Sequence, residues 1–320
     1  MSSRSALAEP ISSESNAEIA ERIRELKRQK AALLLCHNYQ KVEVQRVSDH
    51  VGDSLELCLA ATRASGFEEI VFCGVDFMAE SAAALNPGKK VLIPSLTATC
   101  DMAAMLRAEQ VRRAKREHPD AAVVLYINSL AEAKAEADVL CTSANAVEIV
   151  SRIDAEEILF GPDRNLGLYV SGKVPGKRII PMPSDGCCYV HKMIRPEHVL
   201  RARSAHPKAE VLVHPECDPE VVRLADFVVS TGGMVKRVLE SSATEFVIGT
   251  EATMAQTLAA RFPTKTFHPI LDNALCRSMQ ETDLRKLELS LERGIHEVKV
   301  RRRIAEGVRR VTQRMLDLTG

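Results

Sequence analysis

The chain contains no tryptophan, and aromatic residues make up only 4% of it. It also lacks an excess of either charge, because 43 Lys and Arg residues balance 43 Asp and Glu residues. A neutral chain offers no basic surface for nucleic acid or for an anionic membrane, so we expect neither as a partner. No run reaches the ~18 apolar residues of a membrane-spanning helix, and no basic segment followed by an apolar one stands near Met1. We therefore expect a cytoplasmic protein.

Cysteine, by contrast, is plentiful, with nine residues. A cytosolic location disfavours a disulfide framework, so the question is which thiols are ligands. Four lie in or beside apolar runs, where a small buried side chain is the expected role: Cys36, Cys58, Cys73 and Cys141. Cys217 follows a predicted strand and fits either role.

Three other cysteines are evenly spaced, because 188 minus 100 and 276 minus 188 are both 88. Each of Cys100, Cys188 and Cys276 closes a segment that runs from a predicted strand through a proline into a loop. Further blocks recur at the same step: Glu68–Gly74, Glu156–Gly161 and Thr244–Gly249. The chain is therefore interpreted as a triplicated unit that ends in a thiol.

Within each unit, short β-branched runs alternate with stretches of helical periodicity, which predicts βαβ crossovers and a parallel sheet. The predicted fold is α/β, with three homologous parallel-sheet αβα domains in pseudo-threefold arrangement around a central active site. The predicted boundaries are a flexible tail at 1–18, α/β repeats at 19–110, 111–198 and 199–282, and C-terminal helices at 283–320 that pack back on the core.

Three thiolates at one point would repel one another and stay protonated unless a cation were bound. A metal is therefore expected at Cys100, Cys188 and Cys276. Zinc with a fourth ligand fits such a site, but an iron-sulfur cluster held by three cysteines fits an all-cysteine set better. Three ligands on a four-iron cluster would leave one iron open as a Lewis acid. The repeat register favours Cys188 over its neighbour Cys187.

Polar residues recur where the predicted strands end. Ligands gather at the carboxyl ends of parallel strands, so these side chains are expected to face the same central space: His37, Tyr126 and His214, with Tyr39, Asn128 and Glu216 two residues further on. Ser54, Ser143 and Thr231 follow the second strand of each unit as predicted helix N-caps. Free N–H groups beside three hydroxyls favour a small substrate with several anionic groups.

Several motifs together resemble the quinolinate synthase family, from about residue 20 to the C-terminus and in order. They include 37–40 (HNYQ), 51–55 (VGDSL), 72–80 (FCGVDFMAE), 126–128 (YIN), 141–146 (CTSANA), 189–191 (YVH), 214–217 (HPEC), 230–234 (STGGM) and 249–251 (GTE). Two local departures are Arg277-Ser278-Met279 after the third cysteine, where the family has Pro-Asn-Met, and the doubled Cys187-Cys188.

The resemblance implies a transferase-class enzyme of NAD biosynthesis that condenses iminoaspartate with dihydroxyacetone phosphate to quinolinate, phosphate and water. It implies a 4Fe-4S cluster on Cys100, Cys188 and Cys276, with one open iron as Lewis acid. Tyr39 and Glu216 would transfer protons, with His37 and His214 as further catalytic residues. The implied substrate-binding set is His37, Ser54, Tyr126, Asn128, Ser143, His214, Glu216 and Thr231.

The sequence leaves several points open. One is a transient contact with L-aspartate oxidase, the source of iminoaspartate; another is the oligomeric state. A cluster-binding redox or iron sensor on the same scaffold is the main alternative function, although it would not need His37, Tyr39, Asn128 or Glu216. A zinc-dependent hydrolase that uses the same thiolates is a third.

Overall fold

The computed structural model describes residues 14–63 and 65–319. Helix α1 (Asn16–Gln29) begins inside the predicted tail, which is therefore wrong for residues 16–18. The Ser15 hydroxyl and the Glu18 carboxylate form a capping box there, which satisfies backbone N–H groups that would otherwise lack partners. Residues 1–13 of the predicted tail lie outside the described residues.

The first repeat contains a four-stranded parallel sheet in the order β2-β1-β3-β4. Its central strand β1 is buried along its whole length, including Leu33, Leu34 and Leu35. Strands that helices cover on both faces are apolar along their whole length, whereas strands with one face in solvent alternate apolar and polar residues. The elements are β1 (Ala32–His37), α2 (Val42–Gln45), β2 (His50–Gly52), α3 (Ser54–Thr62), β3 (Glu69–Cys73), α4 (Asp76–Leu85), β4 (Lys90–Leu92) and α5 (Asp101–Ala104).

The second repeat has the same topology, with all strands parallel in the order β6-β5-β7-β8. A helix precedes its first strand, as α1 precedes β1 in the first repeat. The elements are α6 (Ala108–Glu117), β5 (Ala122–Tyr126), α7 (Ala131–Lys134), β6 (Val139–Cys141), α8 (Ala146–Arg152), β7 (Glu157–Gly161), α9 (Arg164–Lys173), β8 (Arg178–Pro181) and α10 (Tyr189–Met193).

The third repeat repeats the order once more, as β10-β9-β11-β12, again with parallel pairs. The predicted α/β fold of three homologous αβα units is thus confirmed. The elements are α11 (Pro196–Ala205), β9 (Glu210–Val213), α12 (Pro219–Val222), β10 (Phe227–Val228), α13 (Thr231–Glu240), β11 (Glu245–Gly249), α14 (Thr253–Arg261), β12 (Thr266–Pro269) and α15 (Arg277–Gln280).

Two C-terminal helices pack against the first two repeats. Helix α16 (Leu284–Arg293) lies on α1. Helix α17 (Arg302–Asp317) lies on α4, α7 and β6. At Gly307 of α17, an added Cβ would stand 2.7 Å from the Cβ of Ala135, so the close approach of these segments requires glycine. On α17 the apolar side chains of Val308, Val311 and Met315 are buried.

Candidate active site and metal centre

One cavity of about 80 Å³ lies where the carboxyl ends of the three sheets meet, and all three repeats contribute to its lining. Every side chain predicted for the site is in that lining. The set comprises His37, Tyr39, Ser54, Cys100, Tyr126, Asn128, Ser143, Cys188, His214, Glu216, Thr231 and Cys276. The cavity therefore brings together residues up to 239 positions apart in the sequence. The roles assigned to them stay predictions.

Each predicted cysteine ligand is the N-cap of a short helix: Cys100 of α5, Cys188 of α10 and Cys276 of α15. The Ala103 N–H donates to the Cys100 sulfur at 3.5 Å. Cys188 lines the cavity, whereas its neighbour Cys187 does not. The five remaining cysteines, which include Cys217, are buried and also lie outside the lining.

Burial raises the pKa of the Cys100, Cys188 and Cys276 thiols, and each is raised further by nearby acidic groups. No Lys or Arg side chain is among the described residues that line the cavity. Without a cation the three thiols are therefore neutral, and a bound metal would supply the positive charge that makes them thiolates. The donor set fits a cationic metal group.

The sulfur positions bear on which metal group fits. The three sulfurs are not all within 4.8 Å of one another. Ligands around a single Zn²⁺ with bonds of ~2.3 Å lie about 3.8 Å apart. The three thiols as they stand are therefore not spaced like the ligands of one ion. Cys188, His191 and Glu216 are near enough together to hold one ion.

A chain of polar contacts crosses the cavity wall through all three repeats, and its Glu216–His191 link is a close contact without the alignment of a hydrogen bond. Tyr126 Oη donates to Glu216 Oε1 at 2.7 Å, and Glu216 Oε2 lies 3.0 Å from His191 Nδ1. His191 Nε2 is 2.7 Å from the Thr250 hydroxyl, which also contacts the Tyr39 hydroxyl. Both tyrosine hydroxyls, at opposite ends of the chain, are thus linked to one carboxylate.

Burial fixes the protonation states of the cavity. It lowers the pKa of His37 to about 4 and of His214 to about 3, so both imidazoles are neutral at pH 7. It raises the pKa of Tyr39 and Tyr126, so both phenols keep their protons. Burial would raise the pKa of Glu216 too, but His191, His214 and Tyr126 outweigh it and hold that pKa below its usual value. The cavity therefore combines the ionised carboxylate of Glu216 with several neutral proton donors.

The predicted N-caps are wrong. Asp53 caps α3 and Ser230 caps α13, so Ser54 and Thr231 are the first helical residues. Ser143 lies two residues before Asn145, which is the N-cap of α8. In the first two cases an Asp or Ser stands one position earlier and takes the capping hydrogen bonds. The three predicted hydroxyls consequently do not cap their helices and still line the cavity.

Asn128 has a buried side-chain oxygen with no hydrogen-bond partner among the described residues. Buried polar atoms are nearly always satisfied, so one that faces a cavity indicates a position that a ligand fills. Two further cavity side chains contact each other, since His214 Nε2 lies 3.1 Å from the Ser143 hydroxyl.

Sequence reasoning missed His191 and Thr250 as site residues. His191 stood in a motif that carried the resemblance, and Thr250 directly follows Gly249, where the repeated blocks were ended. Neither has a polar equivalent in all three repeats. The positions 88 residues from His191 are Ala103 and Met279, and those 88 and 176 residues before Thr250 are Pro162 and Gly74. The motif was the available signal for both.

A second cluster lies at the amino ends of the third sheet, among partly exposed side chains. His206 Nδ1 and His268 Nε2 lie 2.9 and 3.0 Å from the same Glu245 oxygen. The two rings stack at 3.6 Å with an angle of 18°. An ion cannot lie in both of two nearly parallel ring planes, so the arrangement is a hydrogen-bonded cluster at the sheet edge and not a metal site.

The fold and the cavity define an α/β protein with a thiol-lined candidate metal centre where three repeats meet. The quinolinate synthetase A protein family matches residues 21–317. The quinolinate synthase of Methanothermobacter thermautotrophicus is 53% identical over 291 residues, which cover 91% of this chain and 95% of that protein. The quinolinate synthase of Pyrococcus horikoshii is 49% identical and covers 94% of this chain and 99% of that protein. The quinolinate synthase of Methanocaldococcus jannaschii is 44% identical, and the match covers 93% of this chain and 98% of that protein.

The chain belongs to the quinolinate synthetase A family, and the predicted resemblance is confirmed. None of the described helices has the length and apolar character that crossing a lipid bilayer requires.

Proposed function

We propose that this chain is a quinolinate synthase of NAD biosynthesis, which condenses iminoaspartate with dihydroxyacetone phosphate and releases phosphate and water. Family membership supports the activity. The observation that carries the proposal is one cavity in which three thiols, one from each repeat, stand beside the buried carboxylate of Glu216. A condensation followed by dehydration needs both an electrophilic centre and proton transfer at the same place.

Cys100, Cys188 and Cys276 would hold a 4Fe-4S cluster. Three features support this choice: the burial of the thiols, sulfurs that are not all within 4.8 Å of one another, and the lack of Lys and Arg side chains in the described lining. When bound, such a cluster supplies an open iron that acts as a Lewis acid toward a substrate oxygen or nitrogen. No net redox change accompanies the condensation, so the proposal requires no electron transfer.

Proton transfer falls to this chain of polar contacts. Glu216 is the one ionised group in it and the natural acceptor of a substrate proton. Tyr126 already donates to that carboxylate and stabilises its charge, and Tyr39 presents a protonated phenol as the donor. His191 and Thr250 link the two ends, so a proton taken at Glu216 can be returned through Tyr39.

Neutral donors would bind the anionic groups of the substrates. His37, His214 and Asn128 offer ring nitrogens and an amide in the lining of the cavity, and both histidines are buried. The hydroxyls of Ser54, Ser143 and Thr231 lie at or near the starts of α3, α8 and α13. Hydroxyls beside helix N-termini suit carboxylate and phosphate oxygens.

The test is anaerobic purification followed by iron and sulfide analysis, a visible spectrum and an assay for quinolinate from the two substrates. Four irons per chain with quinolinate formed support the proposal. Four irons without product indicate the sensor alternative. Zinc instead of iron overturns the cofactor and points to a single ion at Cys188, His191 and Glu216.

A further inference from the structure

Each proposed cysteine ligand has its backbone N–H bound by a carboxylate. The Cys100 N–H donates to Asp76 Oδ1 at 3.0 Å, and the Cys188 N–H donates to Asp163 Oδ2 at 3.3 Å. In the third repeat the Cys276 N–H donates to Glu251 Oε1 at 3.2 Å. The same contact occurs three times, in loops of different sequence, so it is a structural feature that the three repeats share.

The same carboxylates also bind the start of the helix that follows the third strand of each repeat. Asp76 Oδ1 accepts the Phe77 N–H at 2.8 Å, and Asp163 Oδ1 accepts the Leu166 N–H at 2.6 Å. Glu251 Oε2 accepts the Thr253 N–H at 2.8 Å. Each carboxylate therefore ties a cysteine loop to a helix that is anchored in the sheet.

One backbone hydrogen bond also holds each cysteine loop: the N–H groups of Asp76, Arg164 and Ala252 donate at 2.8 Å to the carbonyls of Ala98, Gly186 and Ala274. Each cysteine is the N-cap residue of a helix of only four or five residues, which is too short to be stable by itself. Among the described residues, no basic group lies within ion-pair distance of Asp76, Asp163 or Glu251, so these carboxylates are not simply charge partners. Groups that orient metal ligands typically contribute a factor of ~10–100 in metal affinity.

We propose that Asp76, Asp163 and Glu251 are positioning residues that hold the three cysteine loops so that their sulfurs face one cluster. This inference rests on the proposed cluster. The carboxylates act through the loop amides and do not touch the metal group. By fixing the loops before metal binds, they remove part of the ordering entropy that cluster assembly would otherwise cost.

The contacts predict a contrast between two conservative variants. At Asp76 a single oxygen accepts both N–H groups, so Asp76→Asn can keep both bonds with its amide oxygen. At Asp163 each oxygen accepts a different N–H, so Asp163→Asn must place an NH₂ group against a donor. A role based on charge alone would make both variants equally harmful.

The experiment measures how fast reconstituted protein loses iron to a chelator under anaerobic conditions. Its companion readouts are the electron paramagnetic resonance spectrum of the reduced protein and the thermal midpoint of the metal-free form. We expect Asp76→Ala, Asp163→Ala and Asp163→Asn to lose iron about tenfold faster than wild type or more. Asp76→Asn should stay within about twofold of wild type.

Asp138→Ala is the matched control, because Asp138 also accepts a backbone N–H, that of Val123 at 2.8 Å, but lies at the opposite end of the second sheet. It should lower the thermal midpoint and leave iron loss unchanged. Wild-type iron retention in Asp163→Ala, or acceleration equal to that of Asp138→Ala, would overturn the inference. Wild-type protein that takes up no cluster would instead overturn the proposed function.

Discussion

At both ends of the sheets a carboxylate accepts a backbone N–H once in every repeat, but the two sets differ in their charge partners. At the amino ends, Asp49, Asp138 and Asp226 bind the N–H groups of Leu34, Val123 and Val211. Their other oxygens pair with Lys27, Lys115 and Arg203 at 2.6, 2.9 and 2.7 Å. At the cavity end, Asp76, Asp163 and Glu251 have no such cation among the described residues.

This difference separates the scaffold from the site. The amino-end carboxylates are partly exposed and neutralised within the protein, so they stabilise strands and need no ligand. The cavity-end carboxylates are largely buried, and burial raises the pKa of each, to about 7 at Glu251. The described lining of the cavity contains carboxyl groups and thiols but no Lys or Arg side chain. A bound cation would therefore stabilise the charged forms of these groups.

The largest effect is expected from the thiols. Cys100→Ala, Cys188→Ala or Cys276→Ala should abolish iron binding and quinolinate formation, because each removes one of three ligands. Iron analysis and the product assay measure this, with circular dichroism to show that the fold is kept. Cys187→Ala is the control and should retain both properties. An active variant that lacks one of the three thiols would sink the ligand assignment.

Glu216→Gln should lower kcat by about 10²–10⁴-fold, since the amide can neither accept nor return the substrate proton. KM should change much less, because the amide oxygen can still accept from Tyr126. Steady-state kinetics of the iron-loaded enzyme separate the two constants. Glu220→Gln, on the exposed face of α12 and paired with Arg223, is the control. Unchanged turnover in Glu216→Gln would remove Glu216 from the acid-base role.

A smaller effect is expected at the amino ends. Asp226→Ala should lower the free energy of unfolding by about 1–3 kcal/mol, because the Val211 N–H loses its partner. The ion pair with Arg203 is exposed and adds only about 0–1 kcal/mol. Urea unfolding of the metal-free protein gives the value, and iron content should stay at the wild-type level. Loss of iron in this variant would erase the distinction between the two ends.

The smallest effect is expected on the outer face of α17. Arg303 is exposed, so Arg303→Ala should change the free energy of unfolding by less than about 0.5 kcal/mol. Val308→Ala, on the buried face of the same helix, should cost roughly 1–3 kcal/mol by comparison. A change in quinolinate formation in Arg303→Ala would show that the outer face of α17 has a function that the cavity does not explain.

The 88-residue period predicted the three repeats and the convergence of their cysteines because equivalent strands must end at the same edge of equivalent sheets. It missed the cavity-end carboxylates for a simple reason. The sequence blocks that recur every 88 residues end at Gly74, Gly161 and Gly249, and Asp76, Asp163 and Glu251 lie two residues beyond those ends. Those positions were detectable, although their contact with the cysteine amides depends on loop conformations that the period does not determine.

The capping errors have a different origin. Asp53-Ser54 and Ser230-Thr231 each place two good capping residues side by side. Choosing between them depends on which backbone first turns helical, and that follows from the strand before it. The link from His191 through Thr250 to Tyr39 joins all three repeats, so no periodicity within one repeat could indicate it.

The strand ends that meet at the cavity are equivalent in position but not in chemistry. His37, Tyr126 and His214 occupy matching places, as do Tyr39, Asn128 and Glu216. Identical residues would have offered a substrate three indistinguishable ways to enter, each rotated by a third of a turn. Each repeat presents a different pair, so in the proposed condensation only one of these orientations would place a given carbon atom beside Glu216. The differences among the three repeats would therefore let a nearly symmetric cavity form a single regioisomer.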